Sequence, residues 1–342
     1  MATPNPPPNS NSAPEITYCS NNPTYHNNKD AAYILPNDQV EHARLEEQAR
    51  HLLAIMNNEI IHSPIPTSIG PGAKMLDVGC GTGIATDFIG SKFPLAEVYG
   101  LDISPVPIHV RANRPSNVRF LTGNFMVDEP GEWYSSVVVQ GNENEEETYF
   151  PLSRTSCCSS SSSSSFDLIF SRFLVCGMTH WPQYISRIHH LLKPGTGYIE
   201  LQDLDFTWYN KNHQPISHTW KWLQAVKTAA LENGMDWSCA SKFPQWLADA
   251  GFQDVVVKKY KCPHGSVGLE GGGEENQKWR AWGEFIAKQQ AGLVWYFLPR
   301  MLASKGYSEE EIEGFRKEAM KCFEVTEEKY WVMSVVVGRK GW

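Results

Sequence analysis

The chain has 342 residues, 41% of them hydrophobic, enough to bury the core of one enlarged domain or two ordinary ones. A formal charge of −8 leaves no electrostatic footprint for a phosphate backbone, which sets nucleic acid aside and favours small molecules or proteins as partners. Eight cysteines without a CxxC pair suggest neither a metal site nor a disulfide framework. With no apolar leader and no apolar run near the ~20 residues of a membrane span, the chain reads as soluble and cytoplasmic.

Residues 1–30 are rich in Pro, Asn and Ser and nearly free of aliphatic side chains, so they cannot offset their ordering entropy by burial and are expected to form a disordered tail. Residues 31–70 read as an N-terminal helical cap: Leu45, Ala49, Leu52, Met56 and Ile60 recur at helical spacing, and Asp38 with Glu41 resembles a capping box. From Lys74 onward the apolar runs "KMLDVG", "AEVYGLDI", "VRFLTGN", "FDLIFSRF" and "GYIELQDL" alternate with crossover-length segments. That alternation predicts an α/β, Rossmann-like doubly wound sheet over residues 71–342. Two later runs, "FQDVVVKKY" and "YWVMSVVVGRK", lie far apart, and the last is expected to slot in as an antiparallel C-terminal strand. Between 129 and 165, "GNENEEETYF" and "SRTSCCSSSSSSSFD" lack periodicity and read as an exposed insertion, a simpler account than a phosphorylation platform.

The glycine turn in "AKMLDVGCGTGIATDFIG" decides the ligand class. A dinucleotide fingerprint wants G-x-G-x-x-G, but Ile84 stands at the third glycine position, and no GK[ST] closes a Walker loop. The order is instead Asp77, Gly79, Gly81, Gly83, with Thr82 placed to cap the following helix. Glycines admit a ligand close to the backbone, and a carboxylate at the strand end suits a cationic ligand better than a pyrophosphate. S-adenosylmethionine has that character. Asp102 ends the next strand, where a carboxylate can accept from both ribose hydroxyls, and Asn124 with Phe125 ends the third, suited to the edge and face of adenine.

With "LDVGCGTG", "LDIS", "TGNF" and "LLKPGTGYIE" in this order over residues 70–205, the chain resembles the class I S-adenosylmethionine-dependent methyltransferases. The resemblance implies that Asp77, Gly79, Gly81 and Gly83 form the cofactor loop. It further implies that Asp102 holds the ribose, Ile103 packs on adenine, and Asn124 and Phe125 flank the base; many relatives carry Asp in place of Asn124. The stretches "YILPNDQVEHARLEEQARHL", "SRFLVCGMTHWPQY", "ELQDLDF" and "ADAGFQDVVVKKYKCPHG" are similar to the fungal LaeA-like methyltransferases, many of which serve secondary metabolism. That narrower resemblance implies that Tyr33 and the first helix fold over the cofactor and that Arg172 and Trp181 line the substrate side. The insertion at 129–165 is not part of its pattern.

A sulfonium methyl is already electrophilic, so the protein has to align an acceptor and, for a hydroxyl, help remove a proton. His180, His213, His218 and His264 are the candidates for a base, and no residue stands out as catalytic. Eleven of the twelve tryptophans follow residue 180. Eight of them (Trp208, Trp220, Trp222, Trp237, Trp246, Trp279, Trp282 and Trp295) fall in or beside the expected lid segments 208–240 and 265–325. About half are expected in the core and the rest around an apolar, ring-accepting pocket. The functional expectation is methyl transfer to an O or N atom of an apolar small molecule in secondary-metabolite biosynthesis. The alternative is a LaeA-like regulator that keeps the fold and works through protein partners, with a nuclear location.

Overall fold

Asp38 starts the first helix, α1 (Gln39–Ile55): its carboxylate accepts from the backbone N–H groups of Val40 and Glu41, each at 3.0 Å. The expected capping box is only half formed. Glu41 turns away from the cap and binds the Arg44 guanidinium instead, because a buried arginine gains more from a carboxylate than an N-terminal amide does.

The computed structural model describes residues 22–107, 114–137, 148–151, 166–269 and 271–342. After α1 come β1 (Lys74–Val78), α2 (Ile84–Lys92), β2 (Glu97–Asp102), β3 (Val118–Thr122), β4 (Tyr134–Val137), β5 (Thr148–Pro151) and β6 (Leu168–Arg172). Then follow α3 (Trp181–Leu191), β7 (Tyr198–Asn210), α4 (Lys221–Glu232), α5 (Phe243–Asp249), β8 (Phe252–Pro263), α6 (Glu274–Leu302), α7 (Glu309–Cys322) and β9 (Lys329–Lys340). One sheet holds the strands in the order β5-β4-β3-β2-β1-β6-β7-β9-β8. The five from β3 to β7 run parallel, while β9 pairs antiparallel with both β7 and β8. This is the expected doubly wound sheet with the final strand inserted antiparallel, and the chain reverses its winding between β1 and β6.

The central strands are buried on both faces, so their apolar runs are continuous. Met75 of β1 with Leu168 and Phe170 of β6 joins one hydrophobic cluster, while their chain neighbours Leu76 and Ile169 join the other. On the first side α2 packs through Ala85 and Ile89; on the second α3 packs through Tyr184, Ile185 and Ile188. The connection from α1 to β1 is pinned by Glu200 of β7. Its fully buried carboxylate accepts from the backbone N–H groups of His62 and Ser63, from Ser63 Oγ and from Gln202 Nε2. Burial pushes this carboxyl up, but these donors together bring it below its ordinary value.

Two expectations need correction. The insertion at 129–165 is not wholly without structure: β4 pairs with β3 and β5 with β4, and Trp133 buries itself on Phe125. The rest of its acidic run and the serine tract, at 138–147 and 152–165, lie outside the described residues, as do 1–21 of the tail. Thr82 does not cap α2, since Gly83 itself takes the N-cap position with no side-chain bond.

Candidate functional site

The carboxyl ends of β1, β2, β3 and β6 converge on a cavity of about 220 Å³ at the point where the winding reverses, where sheets of this kind bind ligands. The turn after β1 takes the left-handed region at Gly79, Gly81 and Gly83, with φ of 70°, 56° and 76°. At Gly79 a Cβ would also lie 2.3 Å from Leu174 Cδ2. The turn is strapped to β2: Gly79 N–H and Cys80 N–H donate to the Leu101 carbonyl, and Gly81 N–H donates to Asp102 Oδ2 at 2.8 Å. Gly79 and Gly81 line the cavity. Gly83 does not; a Cβ there would strike the Phe120 ring at 2.3 Å, so its role is close packing of α2 on β3.

Asp77 is buried, and its Oδ2 accepts from Thr86 Oγ1 of α2 at 2.7 Å. Burial raises its pKa to about 7, against the opposing pull of Thr86 and the nearby Arg172. Arg172, at the end of β6, is lowered to about 10 by its own burial, and its Nη1 finds no hydrogen-bond partner among the described residues. Asp102 Oδ1 accepts from Ser104 N–H at 3.0 Å; burial raises this carboxyl, and the backbone donors restrain it. Ile103 lines the cavity beside it. Asn124 Oδ1 accepts from Met126 N–H, closing the turn after β3, and Phe125 packs against Trp133 and Tyr184 and lines the cavity.

The opposite wall comes from the segment before and within α1. Tyr33 lies there, with Leu45 and Gln48 from the helix. His26 Nε2 donates to the Tyr33 carbonyl at 3.0 Å, and His42 Nε2 meets Asn37 Oδ1 at 2.7 Å; these two histidines line the cavity and were not singled out from the sequence.

A second cavity of about 110 Å³ adjoins the first, and Tyr33, Leu45, Gln48 and Phe173 border both. It exists because β7 outruns its parallel neighbour. Arg172, the last residue of β6, pairs with Gln202, after which β7 continues to Asn210 against β9 alone. A register shift between Leu204 and Trp208 interrupts that pairing, and Phe206 and Trp208 enter the cavity wall. Trp331 of β9 stands directly opposite Trp208, and α4 and α6 close the chamber with Trp222 and Phe297. The polar groups in the wall are Tyr33, Arg44, Gln48, Cys176, Gln289 and Gln290; among the described residues no carboxylate or imidazole lines it. Burial is the main force raising both the Tyr33 phenol, well above its ordinary value, and the Cys176 thiol, to about 12.

The structure therefore brings Tyr33, Asp77, Gly79, Gly81, Asp102, Ile103, Asn124, Phe125 and Arg172 to one cavity. It does not bring Trp181 there: that indole is buried against Tyr184 and Phe243 and lines neither chamber. The four candidate bases also lie elsewhere. His180, His213 and His218 are exposed, and His264 is buried with its Nε2 donating to the Phe323 carbonyl and its pKa lowered by desolvation to about 4. Of the eight tryptophans, Trp208 and Trp222 line the second chamber, while Trp220, Trp237 and Trp282 are core. Trp331, outside the eight, completes the wall.

A family described as a methyltransferase domain matches residues 45–257. Among curated relatives, methyltransferase pytC of Aspergillus terreus is 25% identical over 245 residues, 71% of this chain and 64% of that protein. Secondary metabolism regulator LAE1 of Cochliobolus heterostrophus is 26% identical over 255 residues, 74% of this chain and 72% of that protein. Protein-methionine methyltransferase laeA of Emericella nidulans is 27% identical over 241 residues, 69% of this chain and 54% of that protein. The aligned chain thus spans just under two thirds of pytC. No helix among the described residues is long and apolar enough to cross a membrane.

Proposed function

The chain belongs to the methyltransferase-domain family, and from that premise we propose that it moves a methyl group from S-adenosylmethionine to an O or N atom of an apolar small molecule, in secondary metabolism. The observation that carries this reading is the junction of the two cavities at Tyr33, Leu45, Gln48 and Phe173. A donor seated over the glycine turn would have an acceptor chamber beside it, and holding two reactants in line is most of what such a transfer requires.

The lining of the first cavity fits that donor. Asp102 offers an anionic acceptor to ribose hydroxyls, Ile103 and Phe125 offer apolar faces to the base, and Asn124 offers a polar edge. Arg172 brings an unpartnered Nη1 suited to a carboxylate, and Asp77 a carboxyl suited to an ammonium. When bound, the donor would supply a methyl carbon made electrophilic by sulfonium. The chain's part is to bind both molecules, align them and exclude water.

A pH dependence follows from Asp77. Its carboxyl is lifted to about 7 by burial, so it is partly protonated near neutrality, and a cationic ligand favours the ionised form. Affinity for S-adenosylmethionine is expected to fall as pH drops through about 7, by up to about tenfold per pH unit. Asp77→Asn should bind more weakly and lose that slope, as titration calorimetry at about pH 6 and about pH 8 would read. An unchanged slope in the variant would remove Asp77 from the donor site.

The regulatory reading stands second, favoured by the similarity to LAE1. Purified protein incubated with methyl-labelled S-adenosylmethionine and fractionated extracts separates the two. Label in small molecules supports the enzyme, whereas label confined to protein, or none despite donor binding, supports the regulator.

A further inference from the structure

Resting on the donor–acceptor reading above, we infer that the second chamber takes a flat, unsaturated molecule that is methylated on an acidic hydroxyl (enol, phenol or carboxyl) ionised before it arrives, and that the indoles of Trp208 and Trp331 hold its oxygens. Three features of the chamber lead there.

The walls are aromatic. Phe206, Trp208, Trp222, Phe297 and Trp331 leave room for a ring system but offer little to a flexible or strongly hydrated ligand. Next, Trp208 and Trp331 are a directly opposed pair across β7 and β9, which sets their side chains on one face of the sheet. Both indole N–H groups are buried without an acceptor among the described residues. Trp133, Trp181, Trp237 and Trp282 share that lack, but they belong to the core and line neither chamber; Trp222 shares it and lines the chamber from α4, outside the cross-strand pair. A buried N–H is costly to leave unpaired, and two such donors on neighbouring strands of the chamber wall would be satisfied by a ligand that presents acceptor oxygens.

The third feature is protonic. The groups in the wall that could take a proton are the Tyr33 phenol and the Cys176 thiol, which burial keeps neutral, while Arg44 is held charged by Glu41. His26 and His42 line the donor cavity rather than this chamber, and Nε2 of each donates to a protein oxygen. An ordinary alcohol would find no base in the wall of this chamber. An acidic hydroxyl needs none: its proton leaves to solvent, and its oxygen anion forms the new O–C bond to the methyl carbon while the C–S bond breaks and its electron pair stays on sulfur. Bringing that anion into an apolar chamber is opposed by desolvation, offset by the adjoining sulfonium, and this selects the more acidic hydroxyls.

The test uses the full chain, a series of ring-substituted 4-hydroxycoumarins of stepped enol acidity, and 4-(hydroxymethyl)coumarin as a non-acidic alcohol of similar shape. Calorimetry with S-adenosylmethionine comes first, and failure of the donor to bind would remove the methyltransferase reading itself. With donor binding established, the enols are expected to be methylated and the alcohol left untouched, and the pH midpoint of kcat/KM should move with each enol's own acidity. Trp208→Phe and Trp331→Phe, which keep a ring but lose the N–H, should each weaken enol binding to the S-adenosylhomocysteine complex about tenfold, with Tm nearly unchanged. Methylation of the alcohol, a midpoint fixed across the series, enol binding indifferent to both Phe variants, or no enol bound or methylated by a donor-binding protein would each overturn the inference.

Discussion

Asp102→Ala is expected to weaken S-adenosylmethionine binding by a factor of about a hundred or more while the protein remains folded. The carboxylate stands at the end of β2, half-buried, and would accept from two ribose hydroxyls. Charge-assisted hydrogen bonds contribute about 1.5–3 kcal/mol each, so two together account for at least two decades in Kd. The same group also tethers the glycine turn through Gly81 N–H and the next loop through Ser104 N–H, so part of the loss would come from a loosened turn. Asp102→Asn separates the two contributions: it keeps one acceptor oxygen in nearly the same volume and should bind at an intermediate level. Calorimetry on variants shown to be folded by their melting curves reads both effects, and an alanine variant with unchanged affinity would dismiss Asp102 as the ribose ligand.

That prediction could be written before the structure because the donor site is local in the chain. Its walls are strand ends, and strand ends are marked by a short apolar run giving way to glycine, Asp or Asn, so the positions of Asp77, Asp102 and Asn124 were legible one strand at a time. The left-handed backbone at Gly79 and Gly81 was legible for the same reason, since only glycine adopts it cheaply. The second chamber was not. Trp208 and Trp331 meet across a sheet, and Arg44 reaches Gln289 across 245 positions; no short-range period records either juxtaposition. A tryptophan on a cavity wall and one in the core, such as Trp208 of β7 and Trp282 of α6, present the same local pattern, because both lie on apolar faces of regular elements. Trp181 was misplaced on that account: it follows the strand that delivers Arg172, but as the first residue of α3 it turns inward onto Tyr184 and Phe243. His26 and His42 escaped notice because nothing in their own neighbourhood shows that the segment before α1 folds back over the glycine turn.

The largest stability effect is expected at the buried Glu41–Arg44 ion pair within α1, whose arginine also reaches Gln289 of α6. Arg44 and Glu41 are each 3% exposed. The guanidinium donates from Nε to Glu41 Oε2 at 2.7 Å, from Nη2 to Glu41 Oε1 at 2.5 Å and from Nη1 to Gln289 Oε1 at 2.6 Å, joining α1 to α6. Glu41→Ala would leave a buried cation without its counter-charge, and breaking such a pair costs about 3–5 kcal/mol, read as a lower midpoint in urea unfolding. Because Leu45 and Gln48 of the same helix border both cavities, donor affinity should fall with it. The double variant Glu41→Leu with Arg44→Met removes both charges at similar volume and should recover most of the stability, since a buried pair is often replaceable by apolar side chains at little cost. If the double variant is as unstable as the single one, the contribution lies in the geometry of the Arg44–Gln289 link rather than in charge balance. If Glu41→Ala costs less than about 1 kcal/mol, water must reach the guanidinium and the wall of the second chamber is wetter than its lining implies.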